Sequence, residues 1–429
     1  MFGRFLLAFK LPDLRKKILF VLVILVVFRL IAAIPVPGAD PERLRQFLGS
    51  NQFFGLLNVF SGGVLENLSI AMLGVGPYIT ASIIMQLLTM IFPRMKEIYQ
   101  EEGEAGRARF NQYSRLLTVP LALLQSYALI VVLERQQVLD LTAFGYLTSM
   151  ITVTAGTMFL MWLGELISEK NIGNGISLLI FAGIVSRLPV DFRNMLVDIG
   201  ALPFPIHLDA AKLPYYLAFL AISIVVVAGV VVITEGQRNI PVSYAKRIRG
   251  NRVFGGVETH LPLRVNQAGV IPIIFAISII LFPGLIGSFL TTVPNPTIQA
   301  IGNTLVNLLQ NQLLYGILYF SFVFLFTYFY TAVTFDPDAI ATNVQKQGGF
   351  ILGIRPGRPT AEFLQRILSR ITLFGALFLG VIAILPLLVQ AGFQMTAVTI
   401  GGTSLLIAVS VVLETLKQID AQLVMYEYE

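Results

Sequence analysis

Residues Ser61 to Phe92 read SGGVLENLSIAMLGVGPYITASIIMQLLTMIF, an apolar stretch that breaks its own helix partway along. Gly62-Gly63 opens a weakly polar half-segment, and Gly74-Val75-Gly76-Pro77 ends it. A helix needs about twenty residues to cross a hydrocarbon layer. Val64 to Leu73 is too short for that, whereas Pro77 to Phe92 crosses most of it. Proline at 77 removes a backbone donor and disfavours helix at Gly76. Backbone broken at membrane depth survives only where protein covers it or where it borders a water-filled cavity. The segment is therefore expected to line something.

The rest of the chain supports a membrane setting. With 56% hydrophobic and 13% charged residues over 429 positions, it is an integral membrane protein of the helical-bundle class. The absence of cysteine excludes disulfides and cysteine metal sites. Basic Met1 to Lys17 followed by apolar Ile18 to Ile34 resembles a signal peptide. The run is long for one and many spans follow, so a retained first helix is the better reading. Arg29 lies near its far end, where a long side chain can snorkel. Further spans are expected near Leu116–Leu133, Leu147–Leu166, Ile176–Leu188, Leu213–Ile233, Ala268–Leu290, Leu313–Val333, Ile371–Val389 and Val398–Leu416, ten in all.

An internal echo accompanies this count. Gly269-Val270-Ile271-Pro272-Ile273-Ile274 repeats the Gly-Val-x-Pro-x-Ile pattern of residues 74–79, and Gly401-Gly402-Thr403-Ser404-Leu405-Leu406-Ile407 echoes Asn174-Gly175-Ile176-Ser177-Leu178-Leu179-Ile180. These fall on spans two and seven, then five and ten. Matching ordinal positions point to two halves, 1–205 and 206–429, and an odd number of spans per half inverts the second relative to the first.

Charge sets the orientation. The N-terminus and the loops 93–115, 235–264 and 336–370 carry five, five, six and five Lys and Arg residues, against two, one, two, none and none in the five connections on the opposite side. The positive-inside bias puts both termini in the cytoplasm. Two of the basic loops, 235–264 and 336–370, are longer than connection alone requires, which marks functional loops. The first carries Arg238, Lys246, Arg247, Arg249 and Arg252, with Tyr244, Val253 and Phe254 alternating as in a hairpin. The second carries Arg355-Pro356-Gly357-Arg358. Topology and attraction to anionic lipid explain the charge but not the length, so a docking surface for an acidic partner or ribosomal RNA is favoured.

No catalytic constellation stands out. His207 and His260 lie in expected loops, no nucleotide-binding glycine loop or metal-ligand motif appears, and carboxylates such as Glu165 and Glu414 sit at span ends. Ion-coupled carriers need buried ionisable groups near mid-membrane. The repeat-related positions are instead aliphatic: Val75 and Ile79, Ile176 and Ile180, each four apart on one helix face, with Ile274 and Ile407 at the echoing places. Any one of them ordinarily faces lipid or packs a bundle. Together they suit a ring that closes a pore by dewetting and offers a passing solute no fixed charge.

The chain resembles the SecY family, central subunits of the bacterial Sec protein-conducting channel. The matching stretches include Phe60-Ser61-Gly62-Gly63, residues 77–84 (PYITASII), residues 156–165 (GTMFLMWLGE), residues 172–177 (IGNGIS), Tyr244-Ala245-Lys246-Arg247, His260-Leu261-Pro262-Leu263 and Gly353-Ile354-Arg355-Pro356-Gly357. What the resemblance implies is an all-α polytopic fold, a ten-span clamshell of two pseudo-symmetric inverted halves around an hourglass pore. It implies a plug matching Ser61 to Leu73, including Ser61, Gly62, Gly63, Leu65, Leu68, Ile70 and Leu73. It also implies a pore ring at Val75, Ile79, Ile176, Ile180, Ile274 and Ile407, of which only Val75 is not isoleucine. A lateral gate would lie between Pro77–Phe92 and Ala268–Leu290, with Thr80, Gln86, Asn266 and Gln267 as latch candidates.

By the same resemblance the basic residues Arg238, Lys246, Arg247, Arg249, Arg252, Arg355 and Arg358 would dock the SecA motor or the ribosome, with small subunits SecE and SecG alongside. The implied function is passive. Unfolded secretory chains cross the bacterial inner membrane, signal sequences and apolar segments leave sideways into lipid, and no enzymatic activity or cofactor is expected. Two alternatives stay open: a small-solute secondary transporter using the same inverted repeat, and a scaffold without a through-pore.

Overall fold

The computed structural model describes residues 11–36, 43, 61, 63–100, 102–200, 209, 212–244, 247–249, 252–254, 258–291, 293–393 and 402–427. In chain order the helices are α1 Pro12–Ala32, α2 Gly76–Ile91, α3 Pro93–Gln100, α4 Gly103–Arg135, α5 Ala143–Glu169, α6 Gly175–Asp198, α7 Leu213–Glu235, α8 Ile271–Leu290, α9 Pro296–Gln310, α10 Gln312–Thr334, α11 Pro337–Lys346, α12 Arg358–Phe393 and α13 Gly402–Glu427. A helix stands at each of the ten expected places. Among the described residues seven helical segments are long and apolar enough to cross a membrane, and an eighth if the bent pair α2 and α3 is one span.

The chain divides by contact into two compact units. The first comprises Met1–Leu217, Ile277–Gly316 and Ile407–Glu429, the second Ala218–Ala276 and Ile317–Leu406. Within the first, Pro93 ends α2 and the chain turns through 116° into α3. Gly106 of α4 lets the α3 backbone approach, since a Cβ there would overlap the Ile98 carbonyl, and the Tyr99 and Phe110 rings meet at 4.8 Å. The expected loop 93–115 is thus largely helical, which a reading of span-length apolar runs does not register. At the end of α6, Asp198 accepts hydrogen bonds from Lys212 Nζ at 2.8 Å and Tyr216 Oη at 2.6 Å. The carboxylate hydrogen bond holds the Lys212 ammonium above the usual lysine range.

The second unit carries the extramembrane sheet. β1 Gln237–Tyr244 pairs antiparallel with β4 Glu258–Arg264, from Gln237↔Arg264 to Ser243↔Glu258. β2 Arg247–Arg249 and β3 Arg252–Phe254 form the hairpin between them, as the alternation predicts. β5 Gly349–Phe350 adds to the free edge of β1. Ile240, Val242 and Leu263 of the sheet bury against Ile351, Leu364 and Ile367. The expected loop 336–370 therefore contains a helix, a strand and the first turns of α12. Asp336 starts α11 by accepting the Asp338 and Ala339 amides, and Pro337 occupies the first turn, where its missing N–H costs nothing.

Burial within the protein separates the apolar helices. Only 11% of the most apolar window of α7 is buried, whereas 61% of that of α8 is. Both read as apolar all round, so hydropathy alone does not distinguish them. α8 is the more buried of the two.

Candidate functional site

The segment ahead of α2 is not a half-helix. One 3₁₀ turn, Leu65–Asn67, is followed by Leu68 in the left-handed region (φ 41°) and a run of turns to Val75. A non-glycine residue in that region costs roughly 1–2 kcal/mol, so its surroundings must hold it there. They do so through the end of α1. Val36 N–H donates to the Leu68 carbonyl at 2.7 Å, and Ile70 N–H to the Ile34 carbonyl at 3.0 Å. Ser69 Oγ donates to the Ile31 carbonyl at 3.1 Å and accepts the Ala71 amide at 3.0 Å. The polar groups of an irregular backbone, costly to leave bare among apolar groups, find partners outside the segment.

Packing completes the arrangement. Val64, Leu65, Ser69, Ala71 and Met72 are fully enclosed, and Leu68 and Leu73 nearly so. Burying a side chain such as Leu65 or Met72 contributes about 1.5–3 kcal/mol each. Three glycines permit the approach. A Cβ at Gly156 of α5 would sit 2.3 Å from the Ile70 carbonyl oxygen. One at Gly74 (φ 58°) would sit 2.8 Å from Ser61 Cα, and one at Gly63 (φ 76°) 3.1 Å from Arg187 Cδ of α6. Of the expected plug residues, Ser61, Gly63, Leu65, Leu68 and Leu73 are buried and Ile70 half-buried; Gly62 lies outside the described residues.

The aliphatic positions cluster at helix starts. Val75 caps α2 and Ile79 lies in its first turn; Ile176 and Ile180 occupy the first two turns of α6. Ile274 is in the first turn of α8 and Ile407 in the second of α13. Val75, Ile79, Ile180, Ile274 and Ile407 are buried, and Ile176 is half-buried with its Cδ1 against Gly164. Five of the six belong to the first unit; Ile274 belongs to the second.

A small cleft opens within the first unit between α2, α4 and α8, lined by Leu73, Gly76, Thr80, Gln125, Ser278, Leu281, Phe282 and Leu285. On two of these helices, Tyr127 of α4 and Phe289 of α8 meet at 5.7 Å. The walls of the cleft are apolar with three polar side chains. Thr80 Oγ1 donates to the Gly76 carbonyl of its own helix at 3.1 Å. Gln125 and Ser278 were not singled out by sequence reasoning, although each interrupts an apolar run. Gln86 keeps a buried Oε1 without a hydrogen-bond partner. Asn266 donates to the Gly269 carbonyl at 3.0 Å with its own Oδ1 left buried and unpartnered, and Gln267 beside it is half-buried.

Of the basic residues, Arg238 on β1 and Arg355 and Arg358 ahead of and at the start of α12 are exposed. Arg358 pairs with Glu362 at 3.4 Å, one turn on. Arg247 and Arg249 lie on β2 and Arg252 on β3, with Arg249 opposite Arg252; Lys246 lies outside the described residues. Among the described residues no cluster of metal-ligating side chains occurs.

Comparison with known proteins follows this geometry. The family model SecY matches residues 69–416. The protein translocase subunit SecY of Corynebacterium glutamicum is 45% identical over 98% of both chains. That of Mycobacterium bovis is 42% identical over 100% of this chain and 99% of its own. A solved SecY structure, described as having a plug domain that stabilises the closed channel and maintains a membrane seal, superposes with TM-score 0.64 at 21% identity, over 95% of this chain and 92% of that one. Sec61 in a canine ribosome-channel complex superposes with TM-score 0.63 at 20% identity over the same shares. The fold is thus that of the SecY and Sec61 channels, and by sequence over essentially its full length the chain belongs to the SecY family.

Proposed function

We propose that this chain is the protein-conducting subunit of a translocase. Unfolded polypeptides pass through it, and sufficiently apolar segments leave sideways into lipid. One observation carries the reading: residues 64–75 form a largely buried segment of turns, with one 3₁₀ turn and left-handed backbone at Leu68 and Gly74, strapped to residues 34–36 and directly ahead of a helix that Val75 caps and that carries Ile79 in its first turn. A helical bundle gains nothing from such a segment unless it occludes a path, because the same residues in a regular helix would satisfy their own backbone. In this reading Ser61, Gly62, Gly63, Leu65, Leu68, Ile70 and Leu73 belong to the plug. Val75, Ile79, Ile176, Ile180, Ile274 and Ile407 make the ring. Thr80, Gln86, Asn266 and Gln267, with Gln125 and Ser278 of the cleft, belong to the gate. The two sequence halves are 1–205 and 206–429.

The work of moving the chain comes from outside, so the protein is not itself an enzyme. The sheet and its neighbours, with exposed Arg238, Arg355 and Arg358, dock the ribosome or the SecA motor, and SecE and SecG complete the complex. The chain sits in the bacterial cytoplasmic membrane with both termini inside. The small-solute carrier requires a polar midplane site, and the repeat-related positions are aliphatic.

The test is ion conductance of the reconstituted complex. Ile79→Asn and Ile274→Asn are expected to leak at rest; tight seals in both would overturn the ring. Because the chain has no cysteine, Ile274→Cys offers a single crosslinking site, expected to capture a stalled secretory chain.

A further inference from the structure

The turn joining α5 to α6 is completed by a helix from the far end of the chain. α5 ends with Lys170 as its C-cap, and the carbonyls there have no further turn of helix to receive them. Asn171 (φ 56°) and Gly173 (φ 97°) then carry the backbone through left-handed conformations to Asn174, whose Oδ1 accepts the Ser177 amide at 3.1 Å and starts α6. Such a turn leaves polar backbone groups facing outward from both helices. α13 supplies their partners. Gln422 Nε2 donates to the Asn171 carbonyl at 2.7 Å and lies 3.5 Å from that of Lys170. Gln418 Oε1 accepts the Gly173 amide. Lys17 of α1 donates to Gln422 Oε1 at 3.2 Å.

Close contact accompanies the polar fit. A Cβ at Gly173 would lie 2.8 Å from Thr415 Oγ1 of α13, so only glycine supplies both the turn and the approach. Ile419 and Leu423, on neighbouring turns of α13, are buried. From Ile407 on, α13 falls in the same compact unit as α1, α5 and α6, while its preceding residues, through Leu406, fall in the other. This clasp fastens α13 to the α5–α6 turn.

We propose that Gln418 and Gln422 are positioning residues for the aliphatic ring: by capping the α5–α6 turn in trans, they hold α13, which carries Ile407, in register with α6, which carries Ile176 and Ile180. The inference rests on the channel reading above. Gln418 lies about 16 Å along α13 from Ile407 at the helical rise, and Ile176 follows Gly173 by a single turn. A shift of the clasp is transmitted to the ring through these short rigid lengths. Glutamine suits the task because one uncharged side chain offers a donor for carbonyls and an acceptor for an amide or ammonium. The two positions consequently differ in what they tolerate. Glutamate at 418 still accepts from Gly173, whereas glutamate at 422 turns a carboxylate toward the Asn171 carbonyl.

The experiment uses the complete reconstituted complex, with resting ion conductance and amide hydrogen exchange over residues 170–176 as readouts. Gln418→Leu, Gln422→Leu and Gln422→Glu are expected to speed exchange in this turn and to raise resting conductance about three- to tenfold, the range for a lost net hydrogen bond. Gln418→Glu is expected to match the parent in both. Should Gln418→Leu fail to assemble, Gln418→Asn, too short to reach, replaces it. Faster exchange without leak, or exchange unchanged in the leucine variants, overturns the proposal. Ile79→Asn is measured in parallel. If it leaks while the clasp variants stay tight, only this inference falls; if it stays tight, the channel reading falls and takes this inference with it.

Discussion

Replacing Gly156 with alanine tests the seal most directly. The added Cβ would sit 2.3 Å from the Ile70 carbonyl oxygen, 2.9 Å from its carbon and 3.2 Å from Ala71 Cα. All three are backbone atoms, so no rotamer change relieves the overlap, and the segment must retreat by about 1 Å to restore ordinary contact. Overpacking of this kind costs about 1–3 kcal/mol. That cost falls on the seated state alone. The displaced population therefore rises by about 5- to 150-fold, taking 1.4 kcal/mol per tenfold. Alanine also favours helix over glycine by about 1 kcal/mol, but it does so whether the segment is seated or not, so it leaves the seating equilibrium unchanged. Resting ion flux through reconstituted complex is the assay. Gly229→Ala, where the nearest atoms are Phe378 ring carbons at 3.4 Å, is the matched control and should not leak. A Gly156→Ala channel as tight as the parent, at equal abundance, would refute the claim that α5 seats this segment.

Other perturbations probe separate links. Ser69→Ala removes both the donor to Ile31 and the acceptor for Ala71 at a fully enclosed site, so about 1–3 kcal/mol of seating should be lost. Faster hydrogen exchange at Ala71 with raised conductance is the expected pair of results. Leu364→Ala hollows the cluster beneath the sheet and should cost about 2–5 kcal/mol there. It is expected to admit protease to 235–264 and to weaken ribosome or motor binding with the ion seal intact; leak would place the cluster's role elsewhere. Arg355→Glu, at an exposed position, should leave thermal stability within about 0.5 kcal/mol while motor-driven export drops. Equal loss of export and of chain binding in the pore argues against a docking role.

What was legible in the chain was what repeats locally. Spanning helices announce themselves by run length, and Gly74-Val75-Gly76-Pro77 marks a break that the structure has at that place. The hairpin expected from Tyr244, Val253 and Phe254 is present as β2 and β3, with Tyr244 in β1 instead. The basic loops were recognised by charge, but their helices α3 and α11 were not, because short amphipathic helices carry no apolar run. Residues 64–73 show the complementary failure. Their composition suits a short helix, yet the backbone pairs with residues 34–36 and turns left-handed at Leu68, a choice made by partners some thirty positions away.

Composition and periodicity by themselves pointed to a helical membrane bundle of ten spans with an interrupted second span, because lipid demands long apolar runs and proline lacks the donor that would continue a helix. Resemblance added the family. Tertiary structure alone decided which helices are interior, which glycines are there for contact rather than flexibility, and which side chains complete another segment's backbone. Gln418 reads as an unremarkable letter within a helix, and Gly156 as one letter of a family stretch; their meaning comes from Gly173 and Ile70, placed against them only when the chain has packed. Such pairings join residues far apart in sequence, and no local pattern records them.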